Sequence, residues 1–178
     1  KVIFDGTPRK NKILLSKVMP FDLHDNANSN QSKKDYDLLY FGRNINYKGL
    51  DILYDSLSKT KSSLKVAILG VNVSALPWDT LENKHSITVV DKYLSEENIS
   101  KFINASEFCI YPYRSVSQCG PLVISLSFNQ KAIVPDLEYF KYYASLKNII
   151  FFKAGSSKSL TYTLDHLNEI NKNINKLE

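Results

Sequence analysis

Residues Phe108 to Val134 read F-C-I-Y-P-Y-R-S-V-S-Q-C-G-P-L-V-I-S-L-S-F-N-Q-K-A-I-V. The run opens on a continuous apolar stretch, Phe108 to Tyr111, with the length of a buried strand and Pro112 as its stop. A polar loop leads to Cys119, an almost wholly apolar helix spans Pro121 to Phe128, and Ala132 to Val134 forms a second buried strand. Proline is tolerated at the first helical position because its missing N–H would have no partner there, and Gly120 before it lets a ligand approach the backbone. Strand, loop and helix start in this order set backbone N–H groups around an anion. The stretch therefore predicts one unit of a parallel sheet with a phosphate-bearing ligand at its loop.

The same texture extends outward from Asp37 to the C-terminus. Apolar strands are expected at Leu38 to Phe41, Leu64 to Leu69, Ile87 to Val90 and Asn148 to Phe152. Amphipathic helices are expected from Tyr47 to Leu57, from Glu96 to Ile103, near Glu138 to Ala144, and from Ser157 onward. Short, doubly apolar strands separated by helices indicate a parallel sheet covered on both faces. The expected fold is a single α/β, Rossmann-like domain over residues 36–178, with about six parallel strands. A flavodoxin-like or response-regulator-like sheet is the architectural rival. Residues 1–35 read differently: turn signals at Asp5-Gly6 and Thr7-Pro8, a short strand at Ile13-Leu14-Leu15, and a polar run from Asp25 to Lys34. They are expected to be an irregular connecting segment.

At 178 residues with 43% hydrophobic composition, the chain can bury one well-sized core. The net charge of +5 favours anionic partners. Its basic groupings are sparse, Arg9-Lys10 with Lys12 and then Lys33-Lys34, which is too thin for a nucleic-acid interface. Cys109 and Cys119 match neither a metal spacing nor a disulfide framework, and His24, His85 and His166 are too scattered to suggest a metal site. No stretch of membrane-spanning length occurs and no signal peptide opens the chain, so a cytoplasmic location is expected, compatible with peripheral contact at the inner face of a membrane. The chain begins without Met, as a piece of a longer polypeptide would.

Parallel sheets bind ligands at the carboxyl ends of their strands, which singles out two loops. One is Gly42-Arg43-Asn44-Ile45-Asn46-Tyr47-Lys48-Gly49 and the other runs from Pro112 to Gly120. Neither G-x-G-x-x-G nor G-K-[ST] is present. Arg43 and Lys48 offer a guanidinium fork and an ammonium to one diphosphate, from either side of the expected helix start. The amides following Gly120, those of Leu122 and Val123, complete the anion site. Tyr113, Arg114, Ser115, Ser117 and Gln118 could add hydrogen bonds, and Asp136 and Glu138 lie past another strand end. No acid, base and nucleophile set stands out, so stabilising charge on a phosphate leaving group fits these residues better than hydrolysis.

Tyr40-Phe41-Gly42-Arg43 with Lys48-Gly49-Leu50-Asp51-Ile52-Leu53 resembles the "fvGR...KGldlL" motif of the group 1 retaining glycosyltransferases. Tyr113-Arg114-Ser115 and Gln118-Cys119-Gly120 are similar to the "pYrs..qsG" loop of one of their subgroups. The likeness runs from Leu38 to the final helix and concerns the C-terminal, nucleotide-sugar-binding domain of their GT-B architecture. It implies that Arg43 and Lys48 hold the donor diphosphate and act in transfer, and that Gly120 and the amides after it meet phosphate. The family's two glutamates, eight positions apart, fall here on Ser117 and Ser125, whose hydroxyls can bond a sugar but supply no carboxylate charge. The resemblance further implies a UDP-, GDP- or other nucleotide-sugar donor and no separate cofactor. It also implies a saccharide or lipid-linked acceptor held mainly by an N-terminal domain not contained in this chain, polysaccharide biosynthesis as the setting, and an isolated chain that transfers nothing. A non-catalytic nucleotide- or phosphate-binding module is the alternative.

Overall fold

Leu38, Leu39, Tyr40 and Phe41 are all buried, as an alternating strand can be only when both of its faces are covered. They lie in β1 (Tyr36–Phe41), the centre of a sheet that also contains β2 (Lys65–Gly70), β3 (Ser86–Asp91), β4 (Ser106–Ile110), β5 (Lys131–Pro135) and β6 (Ile149–Phe152). The structure is a computed structural model that describes residues 34–176. Every neighbouring pair of strands is parallel, in the order β3-β2-β1-β4-β5-β6. The fold class expected from the sequence is observed, and this order is that of a Rossmann-like sheet rather than a flavodoxin-like one. The expected strand at Ile13-Leu14-Leu15 and the connecting segment over 1–35 lie outside the described residues, Lys34 and Asp35 apart.

The alternation of β1 divides the interior into two cores. Leu38 and Tyr40 pack with α1 (Leu50–Lys59), through Leu50, Leu53 and Leu57, and with α5 (Ser157–Asp165), through Leu160 and Leu164. Leu39 and Phe41 pack on the other face with Ile103 of α2 (Glu96–Asn104), Leu122 and Leu126 of α3 (Gly120–Ser127), and Phe140 of α4 (Glu138–Lys141). Burying one such leucine stabilises the fold by about 1.5–3 kcal/mol, and Leu39→Ala would cost about 2–5 kcal/mol once the cavity is counted.

Four details differ from the sequence reading. The expected helix from Tyr47 divides into a 3₁₀ turn, Asn46–Lys48, and α1, because Gly49 between them is left-handed at φ 63°. Two short helical turns, Val73–Ala75 and Trp78–Leu81, bridge β2 and β3, pinned where the Trp78 indole N–H donates to the Val73 carbonyl at 2.7 Å. Helix α4 stops at Lys141 rather than Ala144, with Phe140 its one buried anchor. The C-terminal helix breaks at His166 into α5 and α6 (Leu167–Asn175), which brings Leu167 and Ile174 inside as a second apolar pair. No described helix is long and apolar enough to cross a membrane.

Candidate functional site

β1 and β4 are neighbours, yet the chain leaves β1 toward β2 and returns to β4 from the far edge. The helices that follow them, α1 and α3, pack on opposite faces of the sheet. Loops that part in this way open a crevice outside the strand ends, where ligands of doubly wound sheets bind. The two loops singled out in the sequence are the two that flank it.

The first loop is held by the backbone beyond β2. Gly42 N–H donates to the Leu69 carbonyl at 2.9 Å, Asn44 N–H to Val71 at 2.9 Å, and the Asn44 amide to Asn72 at 3.0 Å. Arg43 is exposed and forms no ion pair among the described residues. Lys48 is half-buried; its ammonium folds back over Gly42, where an added Cβ would stand 2.7 Å from Nζ, and lies 5.4 Å from the centre of the Tyr113 ring. It too has no carboxylate partner among the described residues. Burial holds its pKa below the ordinary lysine value; Cys119 opposes that shift and the Arg43 charge adds to it. Two neighbouring cations thus stand on one side of the crevice with no carboxylate paired to either among the described residues.

The second loop contributes the other wall. Its helix, α3, has Cys119 as N-cap and no side-chain cap bond, whereas Ser95 and Ser156 cap α2 and α5. Gly120 is exposed, and a Cβ built there would meet nothing within 4 Å. Its N–H makes no hydrogen bond among the described residues. The Val123 amide, expected to face a ligand, donates instead to the Cys119 carbonyl at 3.2 Å as an ordinary helical bond. The Leu122 amide faces the Cys119 sulfur. Burial pushes the Cys119 thiol up to about 11, so it is a neutral group and not a nucleophile at neutral pH. The anion-facing donors therefore narrow to the helix mouth at Gly120 and its dipole.

The remaining sequence candidates separate by burial. Ser117 is exposed at the loop surface. Ser125 is fully buried; it touches the Tyr111 hydroxyl and donates to the Pro121 carbonyl at 3.2 Å, so it faces the sheet and not the crevice. Tyr113 is buried beneath Lys48, and its hydroxyl has no oxygen or nitrogen partner among the described residues, only the neighbouring Cys119 thiol. Burial, then the nearby Cys119, drives its pKa well above the tyrosine range. Arg114 is turned away from the crevice: its guanidinium grips both oxygens of Asp51, at 2.7 Å on Oδ1, and reaches the Asn46 carbonyl at 2.9 Å. The Asp136 carboxylate accepts from the Ala154 N–H at 2.7 Å, and Glu138 pairs with Lys141 at 3.2 Å. Asp51 is the residue that sequence reasoning passed over. Its signal was an acidic side chain in the first turn of a helix, two places after a glycine. No group of three or more His, Cys, Asp or Glu side chains among the described residues could hold a metal ion.

No protein-family model matches the sequence, and no curated protein matches it. Solved structures do match in shape. The catalytic domain of cholesterol-alpha-glucosyltransferase from Helicobacter pylori superposes with a TM-score of 0.57 at 10% identity, over 80% of this chain and 99% of that one. Sucrose-phosphate synthase from Thermosynechococcus elongatus gives 0.64 at 12% identity, over 80% of this chain. Anabaena HepE in complex with UDP and glucose gives 0.61 at 13% identity, over 81% of this chain. The chain spans 40% and 43% of the length of the latter two. At such identities the likeness concerns architecture alone: the described domain has the Rossmann-like fold that recurs in these glycosyltransferases of GT-B type.

Proposed function

We propose that this domain binds the diphosphate of a nucleotide sugar, as the donor-binding part of a glycosyltransferase acting on a saccharide or lipid-linked acceptor. The observation that carries the reading is the unbalanced pair of cations, Arg43 and half-buried Lys48, at the carboxyl end of β1 beside the open mouth of α3. A diphosphate supplies the missing negative charge, and the Gly120 helix start meets it with a favourable dipole. In transfer, the leaving nucleoside diphosphate gains charge as the glycosidic bond breaks, and Arg43 and Lys48 stabilise that charge where it develops. The UDP and glucose held by HepE, and the ADP and acarbose held by starch synthase IV from Arabidopsis thaliana, support the same ligand class.

On this reading the acceptor is held by a further domain of a longer protein. The length of the matching sucrose-phosphate synthase, of which the chain spans 40%, supports that arrangement. Polysaccharide synthesis on the cytoplasmic side, with peripheral membrane contact, is the setting we propose. One observation favours a second reading, a nucleotide-binding module without transfer: serines occupy both positions where the resembled family has glutamates, and Ser125 is sealed in the core. Calorimetric titration with UDP, GDP and ADP, followed by sugar transfer assays on the longest natural polypeptide, tests both. Binding with transfer supports the first reading, binding without transfer the second, and absence of binding to all three nucleotides refutes both.

A further inference from the structure

We propose that Arg114 and Asp51 form a clasp that positions the diphosphate site, and that Arg114 is not itself a phosphate ligand. The proposal rests on the functional reading above. Arg114 lies in the loop after β4 and Asp51 in the first turn of α1, 63 residues apart. Their contact is two-pronged, the strongest geometry open to an arginine and a carboxylate. With side-chain exposures of 36% and 56%, the pair adds little to global stability, so its role has to be sought in geometry.

That geometry converges on the residues just before Lys48. The Arg114 N–H donates to the Tyr47 carbonyl at 2.7 Å, and its guanidinium donates to the Asn46 carbonyl at 2.9 Å. Gly49, directly after Lys48, is pressed against Pro112: a Cβ there would stand 2.0 Å from the Pro112 carbonyl oxygen. Lys48 is therefore held from both sides by the loop that carries Arg114, while Tyr113 from the same loop lies beneath its ammonium. The Arg114 pair draws the Asp51 carboxyl below its ordinary range, and Asp51 in turn holds the guanidinium at the first turn of α1. Losing either partner removes the side-chain part of this hold, leaving the main-chain bond to Tyr47 and the Gly49 contact, and loosens the placement of the ammonium.

The sign of the Asp51 effect separates a clasp from a ligand. Were Arg114 a phosphate ligand, or acting through charge alone, removing the Asp51 carboxylate would free a cation beside the site and tighten anion binding. A clasp predicts the opposite. Affinities of the full 178-residue chain for UDP, GDP, ADP and inorganic pyrophosphate would be measured by calorimetry, with urea unfolding alongside. Arg114→Ala and Asp51→Ala are each expected to weaken binding about tenfold, and the double variant no more than either single one, as for residues acting as a unit. Arg114→Lys keeps the charge but not the fork, and is expected to stay weak. If the alanine variants unfold, Arg114→Gln and Asp51→Asn carry the same expectation. Tighter or unchanged binding in the Asp51 variants overturns the clasp, as does full affinity in Arg114→Lys. Lys48→Ala distinguishes the two levels: if it weakens binding while the Asp51 and Arg114 variants do not, the clasp alone falls. If the wild-type chain binds none of the four probes, the functional reading falls and takes the clasp with it.

Discussion

Replacing Gly49 by alanine tests how rigidly the two loops are locked. The cost has two parts. Alanine at φ 63° sits in the left-handed region, a strain of about 1–2 kcal/mol. Its Cβ would also stand 2.0 Å from the Pro112 oxygen and 3.2 Å from Ile52 Cδ1. To restore ordinary contact the loops must part by roughly 1.4 Å, and forced displacement of well-packed backbone costs about 1–3 kcal/mol. Together these give a loss of about 3 kcal/mol, or about 10 °C in Tm for a domain of this size. Gly155 supplies the control: its φ is 70° but nothing lies within 4 Å of an added Cβ, so Gly155→Ala should lose only about 1 kcal/mol. Gly120→Ala, unstrained and in open space, should leave stability unchanged. Urea unfolding followed by far-ultraviolet circular dichroism measures all three. If Gly49→Ala proves no worse than Gly155→Ala, the loops yield freely and the argument for a locked site is wrong.

Three further outcomes are expected. Lys48→Met removes a half-buried, unpaired charge and should raise the stability of the ligand-free chain by about 1 kcal/mol while reducing nucleoside diphosphate affinity by about ten- to a hundred-fold, a trade-off visible by running melts with and without UDP; a less stable variant contradicts the charge assignment. Arg43→Ala should weaken the same ligands by about tenfold with an unchanged melt, since its exposed side chain makes no hydrogen bond or ion pair among the described residues, and wild-type affinity would remove it from the site. Burial lowers the pKa of His85, whose Nε2–H donates to the Leu57 carbonyl at 2.9 Å while Nδ1 accepts from the Leu64 amide at 3.2 Å. Because the folded state resists protonating it, its contribution is complete above 6.5 and is lost as pH falls through the folded value; unfolding free energy measured from pH 7.5 down to 5 should decline, and a His85→Gln chain that declines equally would assign the slope elsewhere.

Much of this was legible because the hydrophobic pattern carries it. Six apolar runs of strand length and the Gly120-Pro121 helix start identified the sheet, and strand ends identified the loops that flank the crevice. What escaped was the direction of individual side chains. Nothing local to Arg114 reveals that a carboxylate 63 residues away captures it, since that pairing arises only once β1 and β4 lie side by side. Ser125 was a partial failure of reading: Leu122, Ser125 and Leu126 stand at i, i+3 and i+4, one stripe of a helix, and that spacing already indicated that the serine faces inward. The break at His166 had no signal of the usual kind, neither glycine nor proline, and followed from where the second pair of apolar residues had to pack.

The contact between Ser125 and Tyr111 joins two positions fourteen residues apart into a single unit of variation. Tyr111 is fully buried and donates to the Pro121 carbonyl at 3.0 Å, beside the equally buried Ser125. A long carboxylate at 125 would be buried against Tyr111 unpaired, whereas one at exposed position 117 would meet only water. The two serines are thus unequal in the replacements that their places allow. Ser117→Glu is therefore expected to leave the melt unchanged, whereas Ser125→Glu is expected to destabilise the chain and to recover when Tyr111 is replaced by a small side chain.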